Sequence, residues 1–135
     1  MATPEYELMR SSITDEDCLA AFDFLIDHIG YQNRTTIDGI AYTLYHTNSD
    51  SAIRKARDVV ELLRTDYGIA VCSTSGKAGR WLASTEGEKR ECLEDFYSRR
   101  RSIDAVIRAL EKATVPPPHQ LHNLNAEQAK QFSLF

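Results

Sequence analysis

The sequence predicts a mainly α protein with one small β-hairpin, a long helical segment after it and a flexible tail. Three observations predict this. Apolar residues recur at helical spacing in four separate stretches, and between the third and the fourth the period changes around two short β-rich runs. Three successive prolines, Pro116 to Pro118, then exclude an α-helix and are followed by a polar stretch.

The first helix follows Thr14, which with Asp17 three residues later forms a capping-box signature. Leu19, Phe22, Leu25, Ile26 and Ile29 recur at helical spacing until Gly30 ends the run. A polar connection, Tyr31 to Arg34, leads to Thr35 with Asp38 at the third position after it. Ile37, Ile40, Ala41 and Leu44 then mark a short second helix over roughly residues 36–45. His46-Thr47-Asn48-Ser49-Asp50 is a cluster of turn and capping residues in which Ser49 or Asp50 caps a third helix. That helix runs to about Asp66 and stops near Gly68. Ile53, Ala56, Val59, Val60 and Leu63 form its apolar stripe, opposite Ser51, Arg54, Lys55 and Asp58, with Arg57 and Arg64 at the flank.

Ile69 to Cys72 and Trp81 to Ala83 read as the two strands of a hairpin, joined by Ser73 to Arg80 with Gly76 and Gly79 in a basic tip. Thr85 and Glu88 form a capping box for the last helical segment. Its apolar residues Leu93, Phe96, Ile103, Val106, Ile107 and Leu110 continue through Arg99-Arg100-Arg101 to about Lys112. A single helix there would be about 40 Å long, and a break near Ser102 is equally compatible with the pattern. The organisation predicted is an N-terminal tail over residues 1–13, one folded domain over 14–113, and a Pro-rich linker with a tail over 114–135.

Composition narrows the class. A chain of 135 residues, 42% hydrophobic and 27% charged, suits one soluble globular domain. No apolar run approaches the ~18 residues that cross a bilayer, and the acidic N-terminal stretch lacks the features of a signal peptide, so a cytoplasmic protein without a membrane partner is expected. Cys18, Cys72 and Cys92 form no CxxC pair, and their odd number argues against a disulfide framework. They read as small, at least half-buried hydrophobes in a reducing compartment. The net charge of −4 is unevenly placed: residues 1–29 carry seven acids and one base, whereas residues 34–112 carry fourteen bases and twelve acids. For nucleic acid what counts is whether one face of the domain gathers the bases.

The order short helix, turn, longer helix, basic hairpin is that of a winged helix-turn-helix. Residues 35–83 resemble winged-helix DNA-binding domains. Ala52-Ile53-Arg54 through Leu62-Leu63-Arg64, then Ile69, Cys72-Ser73 and Gly79 to Ala83, resemble those of phage and prophage replication proteins. The resemblance implies that the third helix enters the major groove and the wing tip reaches an adjacent backbone or minor groove. Arg54 and Lys55 are then the candidates for groove contacts, Thr47, Asn48 and Ser51 for hydrogen bonds to phosphates or base edges, and Lys77 and Arg80 for the wing. Against it, charged residues opposite an apolar stripe are commonly a solvated face, Asp58 would repel phosphate, and winged helices also bind proteins. Arg99 to Arg101 either add phosphate contacts or pair with Glu94, Asp95 and other acids, and the pairing is the favoured reading.

The last five residues, Gln131-Phe132-Ser133-Leu134-Phe135, resemble the peptide by which bacterial polymerases, mismatch-repair proteins and replication regulators dock on the sliding clamp, the DNA polymerase III beta subunit. Four positions match, with Phe132 in place of the usual leucine. The resemblance implies that Leu134 and Phe135 fill an apolar pocket while Gln131 hydrogen-bonds at its rim. The other reading folds this segment back onto the domain or into a dimer contact.

No Gly-rich phosphate loop, nucleophile elbow or histidine-glutamate zinc signature is present, so no enzyme and no cofactor are expected. His119 and His122 have no carboxylate or cysteine beside them to complete a metal site. The expected function is a replication accessory or regulatory protein that binds the clamp through residues 131–135 and double-stranded DNA through the winged helix. The alternatives are a regulator whose winged helix holds a replication initiator or polymerase, and a clamp-coupled transcription factor. Whether the long final helix joins two chains in a homodimer is left open by the pattern.

Overall fold

The computed structural model describes residues 4–74 and 79–118. The protein is mainly helical with a small three-stranded antiparallel sheet. It divides into a unit ending at Ser98 and another beginning at Arg99.

The first element lies where the sequence predicted a tail. Helix α1 (Pro4–Arg10) starts on a proline, carries Glu5 and Glu7 in its first turn and ends on Arg10, an order that suits the helix dipole. Seven residues do not hold a helix by propensity alone, and tertiary contacts supply the rest. Tyr6 is buried, its ring centroid 6.4 Å from that of Phe22, and its hydroxyl donates to the Ala83 carbonyl at 2.5 Å. Ile13 is buried as well. Arg10 Nε and Nη2 donate to the two carboxylate oxygens of Asp23 at 2.7 and 3.0 Å, an exposed pair that orients more than it stabilises.

Helix α2 (Glu16–Leu25) is capped by Asp15, not by Thr14: Asp15 Oδ2 accepts from the Cys18 amide at 2.9 Å. That bond holds the Asp15 carboxyl below the usual aspartate range. Cys18, Ala21, Phe22 and Leu25 make its buried stripe. The helix stops earlier than the apolar pattern suggests, because residues 28–30 turn to the sheet. Leu82 N donates to His28 O at 3.0 Å and Gly30 N to Leu82 O at 2.8 Å, with Gly30 at a φ of 89° that glycine tolerates best.

A 3-10 turn (Tyr31–Asn33) leads into strand β1 (Thr35–Thr36), which the sequence did not announce. Thr36 ends the strand and also caps helix α3 (Ile37–Tyr45), its hydroxyl accepting from Gly39 N at 2.9 Å. His46 closes α3 in the left-handed region at φ 59°, its amide bonded to Tyr42 O. Helix α4 (Asp50–Thr65) begins at Ser49, whose Oγ accepts from Ala52 N at 3.2 Å. Ser49→Ala removes this cap, and we expect a loss of about 1 kcal/mol in a urea titration with unchanged slope.

Strands β2 (Val71–Ser73) and β3 (Gly79–Leu82) pair as an antiparallel hairpin, Val71 opposite Leu82 and Ser73 opposite Arg80. Ser73 and Arg80 are therefore strand residues rather than turn residues. The sheet order is β1-β3-β2, so β3 is central, with Thr35 opposite Arg80 on its other side. Phe22, Leu25, Ile37, Ile40, Val60 and Leu63 pack where α2, α3 and α4 meet, and Ile69, Val71 and Leu82 join this core to the sheet.

Helix α5 (Glu86–Lys112) is continuous through Ser102, and the division between the two units falls within it. Glu88 N donates to the Thr85 hydroxyl at 3.1 Å, while the Glu88 carboxylate reaches back to Ser84 N and Oγ. Its apolar residues stay largely exposed: none of the helix is fully buried, and Leu93, Tyr97, Ile103, Val106, Ile107 and Leu110 are all accessible. No helix of the described residues is long and apolar enough to cross a membrane.

Candidate nucleic-acid interface

The turn between α3 and α4 is built from its own polar residues. After His46 reverses the chain, Thr47 Oγ1 accepts from Ser49 N at 3.3 Å, and Ser49 in turn caps α4. Thr47 and Asn48 are exposed at this turn. Along α4, Ala52, Ala56, Val59, Val60 and Leu63 are buried, which forces the intervening positions outward. Ser51, Arg54, Lys55, Arg57 and Asp58 are all exposed. Five of the seven side chains chosen from sequence for DNA thus lie within or just before the first turns of one helix.

The charge along α4 is graded. Arg54, Lys55 and Arg57 precede Asp58 and Glu61 on exposed positions, so the N-terminal half is the basic one. The Lys55 ammonium sits 5.6 Å from the centroid of the Tyr45 ring. Burial, and then the hydrogen bond from its hydroxyl to Asp17 Oδ2 at 3.0 Å, push the Tyr45 phenol up to about 12, so it stays neutral beneath the lysine.

Arg64 departs from this face. Its Nε donates to Val71 O at 2.8 Å, its Nη2 to Ser73 Oγ at 3.3 Å, and its guanidinium lies 5.3 Å from the Phe96 ring centroid. It is a strut between α4 and β2. Arg80 sits in β3, half-buried, with Nη1 donating to Gly79 O at 2.9 Å, so its base is in the sheet and not at the hairpin tip. Lys77 lies outside the described residues, as do Gln131, Phe132, Ser133, Leu134 and Phe135.

One base was missed from sequence. Arg34 is exposed, stacks 4.2 Å above the Tyr31 ring and donates from Nη1 to Tyr31 O. Its side chain runs beside the hairpin: a Cβ at Gly79 would stand 3.3 Å from Arg34 Cδ. The glycine at the start of β3 makes room for that arginine. The only local signal was its position just before Thr35; the strand that places it could not be read locally.

Among the described residues no group of three or more histidines, cysteines, aspartates or glutamates could hold a metal ion. Comparisons with protein-family models, with curated proteins and with solved structures returned no match to the chain.

Proposed function

We propose that this protein is a replication accessory factor that links a bacterial-type sliding clamp to DNA. The observation that carries the reading is the segment Gln131-Phe132-Ser133-Leu134-Phe135, which resembles the clamp-docking peptide at four of five positions. A match of that kind arises by chance in about one window in 10⁵ at average residue usage. The winged-helix arm of the proposal is supported by the order β1, α3, α4, β2, β3, by a hairpin that follows the longer helix, and by exposed Arg54 and Lys55 on that helix.

Two weak attachments on one chain suffice for such a role. Once the peptide seats in the clamp, the second contact becomes intramolecular, and its effective concentration is set by the intervening residues. Neither DNA nor clamp affinity has to be high on its own.

The test is a truncation after Lys130. Binding of the intact and shortened chains to a purified bacterial clamp is compared by surface plasmon resonance, and the shortened chain is expected to lose binding. Equal binding by both chains sinks the clamp assignment.

A second reading is favoured by Asp58 and Glu61, exposed on α4 beyond the basic half, together with a net charge of −4. Here α4 holds an initiator or polymerase and the peptide excludes competitors from the clamp. Duplex affinity separates the two, since phosphate contacts weaken steeply as salt rises, whereas an apolar protein contact does not.

A further inference from the structure

Cys72 and Cys92 belong to different elements, β2 and α5, yet meet in one small cluster. Cys72, Trp81 and Ala83 are its buried members, and Ala70 and Cys92 pack against them. Both cysteines also line one small cavity. Cys92 Sγ donates to the carbonyl oxygen of Ser73, the strand neighbour of Cys72, at 3.9 Å.

Their access to solvent differs. Cys72 is 1% exposed, whereas Cys92 is half-buried and borders two cavities. The larger, about 330 Å³, is also lined by Tyr31, Thr74, Trp81 and Glu88, and the smaller, about 200 Å³, by Arg64, Cys72 and Phe96. Cys92 is therefore the more accessible thiol, and Cys72 contributes only to the wall of the smaller cavity.

The protonation states are divided in the same sense. The neighbouring Cys72 thiol lowers the Cys92 thiol below the ordinary cysteine range, with Arg64 adding to the effect and burial and Asp95 opposing it. Cys72 is pushed up, first by the neighbouring Cys92 thiol, then by burial and by Glu88, so it keeps its proton. Cys92, the more accessible and the more readily deprotonated of the two, is the attacking sulfur.

We propose that Cys92 and Cys72 form an oxidation site for small hydroperoxides, which convert the pair to an intramolecular disulfide. The Cys92 thiolate attacks the terminal oxygen of ROOH. The O–O bond breaks, Cys92 becomes a sulfenic acid, and the departing RO⁻ takes a proton and leaves as ROH. The Cys72 sulfur then attacks Cys92 sulfur. The S–O bond breaks, and the hydroxyl leaves as water with the Cys72 proton. Two thiols and one hydroperoxide become a disulfide, an alcohol and water, with two electrons passed to the peroxide. The new bond ties β2, the first strand of the hairpin, to the first turns of α5. Cys18 is not part of this chemistry: it is fully buried, and burial, followed by Asp15, pushes its thiol up to about 12.

The test treats the full chain with an equimolar amount of hydrogen peroxide and reads the intact mass and the alkylation state of each cysteine. A monomeric product about 2 Da lighter is expected, with Cys72 and Cys92 protected from alkylation and Cys18 still a thiol. In Cys72→Ala, a sulfenic acid trapped at Cys92 by dimedone should replace the disulfide, and Cys92→Ser should consume no peroxide at the same dose. Iodoacetamide adds a readout that needs no variant: the pH of half-maximal rate at Cys92 should fall below the ordinary thiol value of about 8.5. Wild-type protein that keeps both thiols through the peroxide treatment overturns the proposal. So does a disulfide that forms only between molecules or enlists Cys18.

Discussion

Phe22→Ala is expected to destabilise the protein by about 3–5 kcal/mol, the range found when a buried aromatic ring is deleted from a core that cannot collapse around the gap. Phe22 is 1% exposed and packs among α2, α3 and α4, with Tyr6 of α1 tilted against its ring. All these neighbours are held by their own hydrogen bonds or helices, so little relaxation is available to fill the space. A domain of this size has about 5–15 kcal/mol in total, and the substitution removes a large share. Urea unfolding followed by circular dichroism reads the change as a shift in midpoint. A loss under about 1 kcal/mol would mean that α1 moves in to fill the void, and that the Tyr6 to Ala83 bond does not anchor that helix.

The second large effect concerns binding rather than stability. Arg54→Ala with Lys55→Ala is expected to weaken duplex binding by about 1–3 kcal/mol and to flatten the dependence of log K on log salt by about 1–2. Both side chains are exposed, so neither contributes a core contact; the cation over the Tyr45 ring is worth ~0.5–1 kcal/mol. Thermal unfolding should therefore barely move. Fluorescence anisotropy with a labelled duplex at several salt concentrations separates the outcomes. If affinity and slope are unchanged, α4 does not face phosphate, and the reading in which it holds a protein partner takes over. Because the peptide at residues 131–135 is left intact, clamp binding should be the same in this variant as in the parent.

The two substitutions differ in what made them visible. Phe22 and Arg54 could both be placed from the chain alone, because each lies in a helix whose buried stripe repeats every 3.6 residues. The same local physics marked Ser49 or Asp50 as a cap, of which the fold uses Ser49, and Thr85 with Glu88 as a helix start, since a side-chain oxygen next to unpaired amides acts within four residues. At the start of α2 two adjacent residues competed for that role. Asp15 won over Thr14, whose hydroxyl instead contacts the Tyr67 hydroxyl at 3.2 Å, a partner more than fifty residues away.

What the linear chain determined by itself was the helical stretches, the hairpin between Gly68 and Thr85, and the outward residues of α4. Each follows from interactions among near neighbours. The tertiary structure alone decided that Thr35 and Thr36 form a strand, that Tyr6 turns residues 4–10 into a packed helix, that Arg64 leaves the basic face for Val71 and Ser73, and that Cys72 meets Cys92. None of these has a periodic signature. A two-residue strand exists only because β3 offers it unpaired backbone groups, and a side chain at the edge of a stripe turns toward whichever partner the fold brings within hydrogen-bonding distance.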